Sequence, residues 1–172
     1  MRRRIVVGIL IWVCLILQST VFQSLSLGSI TPNLLIVLTS TYGFMRGKKE
    51  GLVIGFICGF MIDLLYGEIL GMNALIYMYI GYINGFFNKI FYDDDIKLPM
   101  ILITVSDLIY GILTYLILFL IRGRSDFMYY LSRIIIPEVV YTVLVTIVLY
   151  QVILAINHKL EAMEKRGANR FV

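Results

Sequence analysis

Long runs of apolar residues, separated by short polar breaks, extend along almost the whole chain. A membrane-spanning helix needs about 20 predominantly apolar residues, and six runs are candidates. They cover about Ile5 to Phe22, Ile30 to Met45, Gly51 to Tyr66, Gly71 to Phe91, Leu98 to Ile121 and Ser132 to Ile156. The second and third runs are short, so a tilted or re-entrant path is open for either. The pattern predicts an all-α membrane protein with six transmembrane helices, forming a single domain over residues 1–172.

The composition of the chain agrees with this pattern. Hydrophobic residues make up 60% of the sequence and charged residues only 15%, whereas a soluble domain is about half apolar and a quarter charged. A water-soluble fold could not bury this much apolar surface, so lipid must solvate much of it. The apolar run after Arg4 has no small-residue cleavage site. We therefore interpret it as an uncleaved first span and not as a signal peptide.

The distribution of positive charge predicts the orientation of the helices. Lys and Arg are retained on the cytoplasmic side of membrane helices, and six spans place both termini on one side. With cytoplasmic termini, twelve of the 15 Lys and Arg residues lie inside, and only Arg122, Arg124 and Arg133 lie outside. Both termini are therefore predicted to be cytoplasmic. The net charge of +4 follows from this asymmetry beside an anionic inner leaflet, so it requires no nucleic-acid partner.

Glycines recur at helical spacing in the third run. Gly51, Gly55 and Gly59 are four residues apart, and Asp63 continues the series. Residues with this spacing share one face of a helix. Small side chains on a membrane helix let a neighbouring backbone approach closely. We therefore predict that Gly51, Gly55 and Gly59 form a helix-packing or partner interface.

Polar residues share faces of the third to sixth helices. Hydrocarbon cannot satisfy polar groups, so such residues usually face the interior of a bundle or a cavity. Together they predict an intramembrane polar seam. Its members are Asp63 in the third run, Asn73, Tyr77 and Asn84 in the fourth, Asp107 in the fifth and Glu138 in the sixth. For the amides and hydroxyls, the expected role is hydrogen bonding that holds the helices together.

The carboxyl groups of the seam have two open interpretations. An aspartate at mid-membrane costs about 2.5 to 3.5 kcal/mol, so another interaction should offset that cost. Asp63 and Glu138 lie toward the outer ends of their helices, where Arg122 and Arg133 are the available cations. Structural ion pairing is one interpretation. A binding role for the whole carboxyl group set, including Asp107, is the other.

Asp107 lies deepest of the three. It is about ten residues into the fifth run, roughly 15 Å at 1.5 Å per residue. An uncompensated carboxyl group at this depth should be neutral and could donate a hydrogen bond to Asn84 or Tyr77. Proton-coupled transport would require the group to change its charge state. The chain shows no two-fold internal repeat of the kind that secondary transporters use.

Residue patterns typical of catalytic sites are missing from the sequence. The single histidine, His158, lies at the end of the last run, and no His, Cys, Asp and Glu residues have metal-site spacing. The triplet Asp93–Asp95 could hold magnesium with a phosphate substrate, but without a second acidic motif a solvated turn is favoured. The sequence predicts no catalytic, cofactor-binding or metal-binding residue, and therefore no enzyme.

Short motifs in the first half of the chain resemble the rod-shape-determining membrane protein MreD family. The resemblance covers roughly residues 14–88, and Asn33 departs from the aspartate expected after the proline of the second motif. The motifs are Leu17-Gln18-Ser19-Thr20, Pro32-Asn33-Leu34-Leu35, Arg46-Gly47, the series from Gly51 through Gly55-Phe56 and Gly59 to Asp63-Leu64-Leu65, Gly71, and Gly81-Tyr82.

The resemblance implies a non-catalytic scaffold of the cell-elongation machinery in the bacterial cytoplasmic (inner) membrane. The implied partners are the single-span protein MreC, the actin-like MreB, and the peptidoglycan polymerase and transpeptidase. It also implies the six-helix fold of the substrate-binding subunits of energy-coupling-factor vitamin transporters, so a vitamin-binding membrane subunit is the alternative. Such subunits typically carry an Ala-x3-Ala pattern in the first span. Here Ile5 to Phe22 contains no alanine, which favours the cell-shape interpretation.

Overall fold

The computed structural model describes residues 2–26, 30–67, 69–90, 96–122 and 127–168, which form six helices. The first and last helices each contain a π-helical turn, and the fourth ends in a 3-10 segment. The helices are α1 (Arg2–Ile16, Leu17–Val21 and Phe22–Ser24), α2 (Leu34–Arg46), α3 (Lys48–Tyr66), α4 (Met72–Asn84 and Gly85–Ile90), α5 (Lys97–Arg122) and α6 (Phe127–Tyr130, Leu131–Ile135 and Ile136–Ala168). They follow the six predicted runs in order, and the all-α class is confirmed.

Three of the described helices are long and apolar enough to cross a membrane, namely Arg3–Ser24, Lys97–Leu118 and Phe127–Glu164. The second helix is apolar but has only 13 residues, or about 20 Å at 1.5 Å per residue. That is shorter than a hydrocarbon core of about 30 Å. The third helix has 19 residues but carries charged side chains in its first turn and at Asp63. The second helix is therefore short, as expected, whereas the third, with 19 residues, is longer than its predicted run, and that part of the expectation is wrong.

The short helix α2 lies at the centre of the bundle. Every residue from Leu34 to Met45 is buried, and α2 contacts all five other helices. A helix with apolar or small residues on all sides suits such a position. Gly47 ends it with a φ of 90°, a conformation that favours glycine, and the chain turns there directly into α3.

Ion pairs join four helices at the end of the bundle where α1 begins and α6 ends. Arg3 pairs with Glu164 at 2.9 Å, and Arg46 pairs with Glu161 at 3.1 Å and with Glu50 at 3.5 Å. Partly exposed pairs of this kind contribute at most about 1 kcal/mol each. Their main consequence is geometric, because they place the start of α1, the end of α6 and the α2–α3 turn together. We call this the termini end and the opposite end the far end.

Apolar side chains cover the outer surface of the bundle. On α1 one helical face is exposed, and α6 exposes a similar face. In water such faces would be costly, whereas in a bilayer they contact lipid at no cost. The exposed residues include Ile5, Ile9, Trp12, Ile16, Val140, Leu144, Ile147 and Val148.

Candidate functional site

The glycine stripe of α3 packs directly on the backbone of α4. A Cβ atom added to any of its three glycines would lie under 3.0 Å from α4 backbone atoms. The close pairs are Gly51 with Gly81, Gly55 with Tyr77, and Gly59 with Asn73. Each step of four residues forward along α3 corresponds to four residues backward along α4, as in an antiparallel helix pair. Only hydrogen fits at these three positions, so the stripe serves contact within the chain.

A glycine that the sequence analysis did not single out completes this contact. A Cβ on Gly43 of α2 would clash with the carbonyl oxygen of Gly81, and a Cβ on Gly81 would clash with the carbonyl oxygen of Gly51. Three glycines from three helices therefore meet at one junction. Spacing within one helix cannot reveal such a junction, because its members come from separate runs.

The carboxylate of Asp63 caps the start of α4. Its Oδ2 accepts hydrogen bonds from the backbone N–H groups of Gly71 (3.0 Å) and Ala74 (2.9 Å). Its Oδ1 accepts from the backbone N–H of Asn73 (3.1 Å) and from the Asn73 side-chain amide (2.9 Å). The first N–H groups of a helix have no partner within the helix, and they favour an anion. These bonds offset the cost of burying Asp63.

Side chains also cap both ends of α2: Gln18 and Asn88 come from neighbouring helices, and Asn33 directly precedes α2. At its start, Oε1 of Gln18 accepts from the N–H groups of Leu34 (3.0 Å) and Leu35 (3.4 Å), and the Asn33 side chain accepts from the N–H of Ile36 (3.2 Å). At its end, the Asn88 side chain donates to the last carbonyl groups of α2. Backbone groups at membrane depth must find partners in the protein, and these caps allow the short helix to end there.

Removing the cap that Gln18 of α1 supplies to the start of α2 should destabilise the protein measurably. Gln18→Leu leaves two buried N–H groups without an acceptor, at about 1 to 3 kcal/mol each. The measurement is the midpoint of thermal unfolding in detergent. Gln23→Leu, an exposed glutamine later in α1, is the control. Equal midpoints for Gln18→Leu and Gln23→Leu would contradict the capping role.

Hydrogen bonds connect most other seam residues across helices. The N–H of Asn33, just before α2, donates to the Thr142 hydroxyl of α6 at 3.1 Å. Three further bonds join α4 to the start of α2 and to α5. They are Tyr77 OH to Asn33 Oδ1 (2.7 Å), Tyr110 OH to Asn73 Oδ1 (3.0 Å) and Asn84 Nδ2 to Ser106 Oγ (2.8 Å). Ser106 and Tyr110 were not predicted from the sequence. Tyr110 lies three residues after Asp107, so the same-face spacing could have identified it.

Asp107 is buried in the seam but is not bonded to it. Its side chain faces Thr142, yet neither carboxyl oxygen has a hydrogen-bond partner among the described residues. The hydrogen bond that Asp107 was expected to donate to Asn84 or Tyr77 is wrong, and the acceptor Oδ1 of Asn84 is also buried without a partner among the described residues. Asp107 therefore contributes no hydrogen bond that α4 depends on.

The described ion pairs do not include the seam carboxyl groups. All of them lie at the termini end, so none reaches Asp63, Asp107 or Glu138. The side chain of Arg133 is exposed and forms none of these pairs, and the side chain of Arg122 lies outside the described residues. Within the described part of the chain, these carboxylates do not pair with Arg133, so the predicted ion pairing with that residue is wrong. Hydrogen bonds take its place at Asp63.

A cleft of about 400 Å³ lies at the far end of the bundle. It is bordered by α1, the approach to α2, the end of α3, and parts of α5 and α6. Gln18 belongs to the π-helical turn of α1, and Glu138 follows the π-helical turn of α6; such turns are rare and recur at functional sites. The lining residues are Gln18, Gln23, Ser26, Thr31, Asn33, Ile62, Tyr66, Tyr110 and Glu138.

Metal-ligating side chains do not cluster within the described residues. No group of three or more His, Cys, Asp or Glu residues there could hold a metal ion. Cys14 and Cys58 are both buried free thiols. The acidic triplet at residues 93–95 lies outside the described residues.

Together, the apolar surface, the long apolar helices and the internally bonded polar groups define an all-helical membrane protein. The chain matches the family described as rod shape-determining protein MreD over residues 1–159. It belongs to that family, which confirms the resemblance of its motifs and gives it a role in rod-shape determination. Comparison with curated proteins and with solved structures found no match.

Proposed function

We propose that the chain is a non-catalytic scaffold of the bacterial cell-elongation machinery, with six helices crossing the cytoplasmic membrane. It binds an MreC-type single-span membrane protein and, directly or through that partner, the actin-like MreB and the peptidoglycan polymerase and transpeptidase. Through these contacts it regulates peptidoglycan synthesis. The match to the MreD family over residues 1–159 carries the proposal.

The geometry of the interior supports a scaffold more than a transport path. Asp63 receives four hydrogen bonds that fix the start of α4, and Asn73 is held in turn by Tyr110. Groups along a transport path must exchange partners as the cargo moves. A carboxylate bonded to helix N–H groups cannot leave them without uncapping the helix. The seam is therefore suited to holding one arrangement of helices.

The termini end supports the proposed topology. Arg3 and Arg46 meet the acidic residues of α6 there, so the start of α1, the end of α2 and the end of α6 lie at one end of the bundle. Six crossings require this arrangement. The positive-inside rule supports a cytoplasmic position for that end, because Arg3 and Arg46 lie there.

Cysteine labelling tests this topology. With Cys14 and Cys58 replaced by alanine, Lys49→Cys should be protected from a membrane-impermeant maleimide in intact cells, and Tyr129→Cys should react. Both residues are exposed in the structure. The loops at Glu68 and Arg124 are expected outside and that at Asp94 inside, although all three lie outside the described residues. Labelling of residue 49 in intact cells, with residue 129 protected, would contradict this topology and indicate the opposite orientation.

Capture of the partner tests the scaffold function itself. The tagged chain, crosslinked in membranes at its natural level, should retain the MreC-type protein after purification in detergent. An unrelated polytopic membrane protein with the same tag should not retain it. Equal recovery of the partner with both proteins would count against the proposal.

A second candidate function is supported by the cleft at the far end. Its volume of about 400 Å³ lies within the range of small-molecule pockets, as required of a vitamin-binding membrane subunit. Native mass spectrometry of the protein purified from cells discriminates between the two functions. A stoichiometric vitamin-sized ligand would favour uptake, and a partner protein without such a ligand favours the scaffold.

A further inference from the structure

We propose that the cleft binds an organic cation through an ammonium or guanidinium group, with Glu138 as the anionic partner. The proposal goes beyond the scaffold function and does not depend on it. It follows from the charge of the cleft, from a second carboxyl group behind it and from the character of the remaining lining residues.

Among the described residues that line the cleft, Glu138 alone is charged. It is partly buried, and it forms no ion pair or hydrogen bond with the described residues. Ionisable groups inside a membrane protein usually pair with another group or mark a binding site. Here the described chain supplies no cation, so a cationic ligand completes the pair.

A second carboxyl group lies behind the wall of the cleft. Asp107 interacts electrostatically with both Glu138 and Tyr110, and both of its own oxygens are buried without a hydrogen-bond partner. Two neighbouring carboxyl groups oppose each other's ionisation, and a nearby cation favours it. With Asp107 neutral, the negative charge of the cleft is carried by Glu138, and a bound cation would favour that ionised form.

The neutral lining residues suit a cation that donates several hydrogen bonds. An ammonium group has three N–H donors and a guanidinium group has five. Gln23, Ser26 and Thr31 offer side-chain oxygen atoms as acceptors, and the rings of Tyr66 and Tyr110 offer π-faces that attract cations. The oxygen of Gln18, by contrast, is occupied by the start of α2.

Such a group has two possible sources, a free amine or a Lys or Arg side chain of a partner protein. Three probes distinguish them in titrations of the full-length protein in detergent. They are agmatine as the free cation, N-acetyl-arginine amide as the side chain within a peptide, and N-acetyl-citrulline amide as its neutral isostere. The arginine probe should bind at least about tenfold more tightly than the citrulline probe, since a hydrogen bond to a charged group has that effect or more.

Variants locate the binding in the cleft. Glu138→Gln keeps the shape and removes the charge, so it should weaken binding of both cations by about tenfold to a hundredfold. Glu50→Gln, at the termini end, should leave binding unchanged. If Glu138→Gln does not fold, Gln23→Lys decides the question, because it places a cation at an exposed position of the cleft and should weaken binding by a similar factor.

The outcomes separate cleanly. Tighter binding of agmatine identifies a free amine, and tighter binding of the arginine probe identifies a partner side chain; both support the cation site. Equal affinity for the arginine and citrulline probes would overturn it. So would unchanged affinity in Glu138→Gln or Gln23→Lys, or the absence of saturable binding of either cation at millimolar concentration.

Discussion

Gly55→Ala is expected to lower the stability of the protein by about 1 to 3 kcal/mol, the usual cost of overpacking. The added Cβ would clash with the backbone of Tyr77, which belongs to the buried part of α4 and cannot move aside alone. Gly55→Leu or Gly59→Leu should go further and reduce the amount of inserted protein and its assembly with partners. The measurements are the unfolding midpoint in detergent, the level of protein in the membrane and copurification of partners.

The chain offers two matched controls for this prediction. A Cβ on Gly8 of α1 would meet nothing within 4 Å, so Gly8→Ala should be neutral or stabilising by up to about 1 kcal/mol through helix propensity. Val53 is 54% exposed on α3, so Val53→Leu should be tolerated. If the Gly55 and Gly59 variants behave like these controls, α3 and α4 do not pack through the stripe.

Asp63→Asn and Asp107→Asn should have opposite outcomes. An amide at position 63 must turn its NH2 group toward N–H groups from which the wild-type carboxylate accepts hydrogen bonds. Two buried donors then lose their acceptor, at about 2 to 6 kcal/mol in total. At position 107 the same change removes a buried ionisable group without breaking a described hydrogen bond. The stability of Asp107→Asn should therefore equal or exceed that of the wild type.

Thermal unfolding of the two purified variants measures this contrast directly. Asp63→Asn should melt well below the wild type. Asp107→Leu is a control that removes the ionisable group and also changes the shape of the side chain, so it shows whether position 107 requires the shape that asparagine keeps. Comparable destabilisation by Asp63→Asn and Asp107→Asn would show that Asp107 bonds to the seam after all. The capping role of Asp63 would be contradicted if its variant melted like the wild type.

The sequence predicted the helices well because their signal is local. Apolar runs and helical spacing located all six helices, and the i, i+4 series located Gly51, Gly55 and Gly59 on one face. The partner of that face was not predictable, since Gly43 and Gly81 come from other runs. The turn between α3 and α4 is short, yet only the fold shows that Asp63 reaches back over it to the N–H groups of residues 71–74.

The bonding of the seam was less predictable, because it depends on which helices are neighbours. Gln18 was visible only as the polar end of an apolar run, and its role as a cap requires α2 to start beside it. The hydrogen bond expected from Asp107 to Asn84 was wrong: Asn84 donates to Ser106, the residue next to Asp107, and its acceptor Oδ1 has no partner among the described residues. Spacing identifies the face that a residue occupies, whereas its hydrogen-bond partner depends on the rotation of each helix.

Cell width in a strain that carries Asp107→Asn as its only copy of the gene tests the central claim most directly. A scaffold needs only the neutral form of this buried group, whereas proton-coupled transport requires it to change charge. At protein levels matched to the wild type, we predict rods of wild-type width and undiminished recovery of the MreC-type partner. Rounded or widened cells, with the variant stably inserted in the membrane, would contradict the scaffold and favour transport.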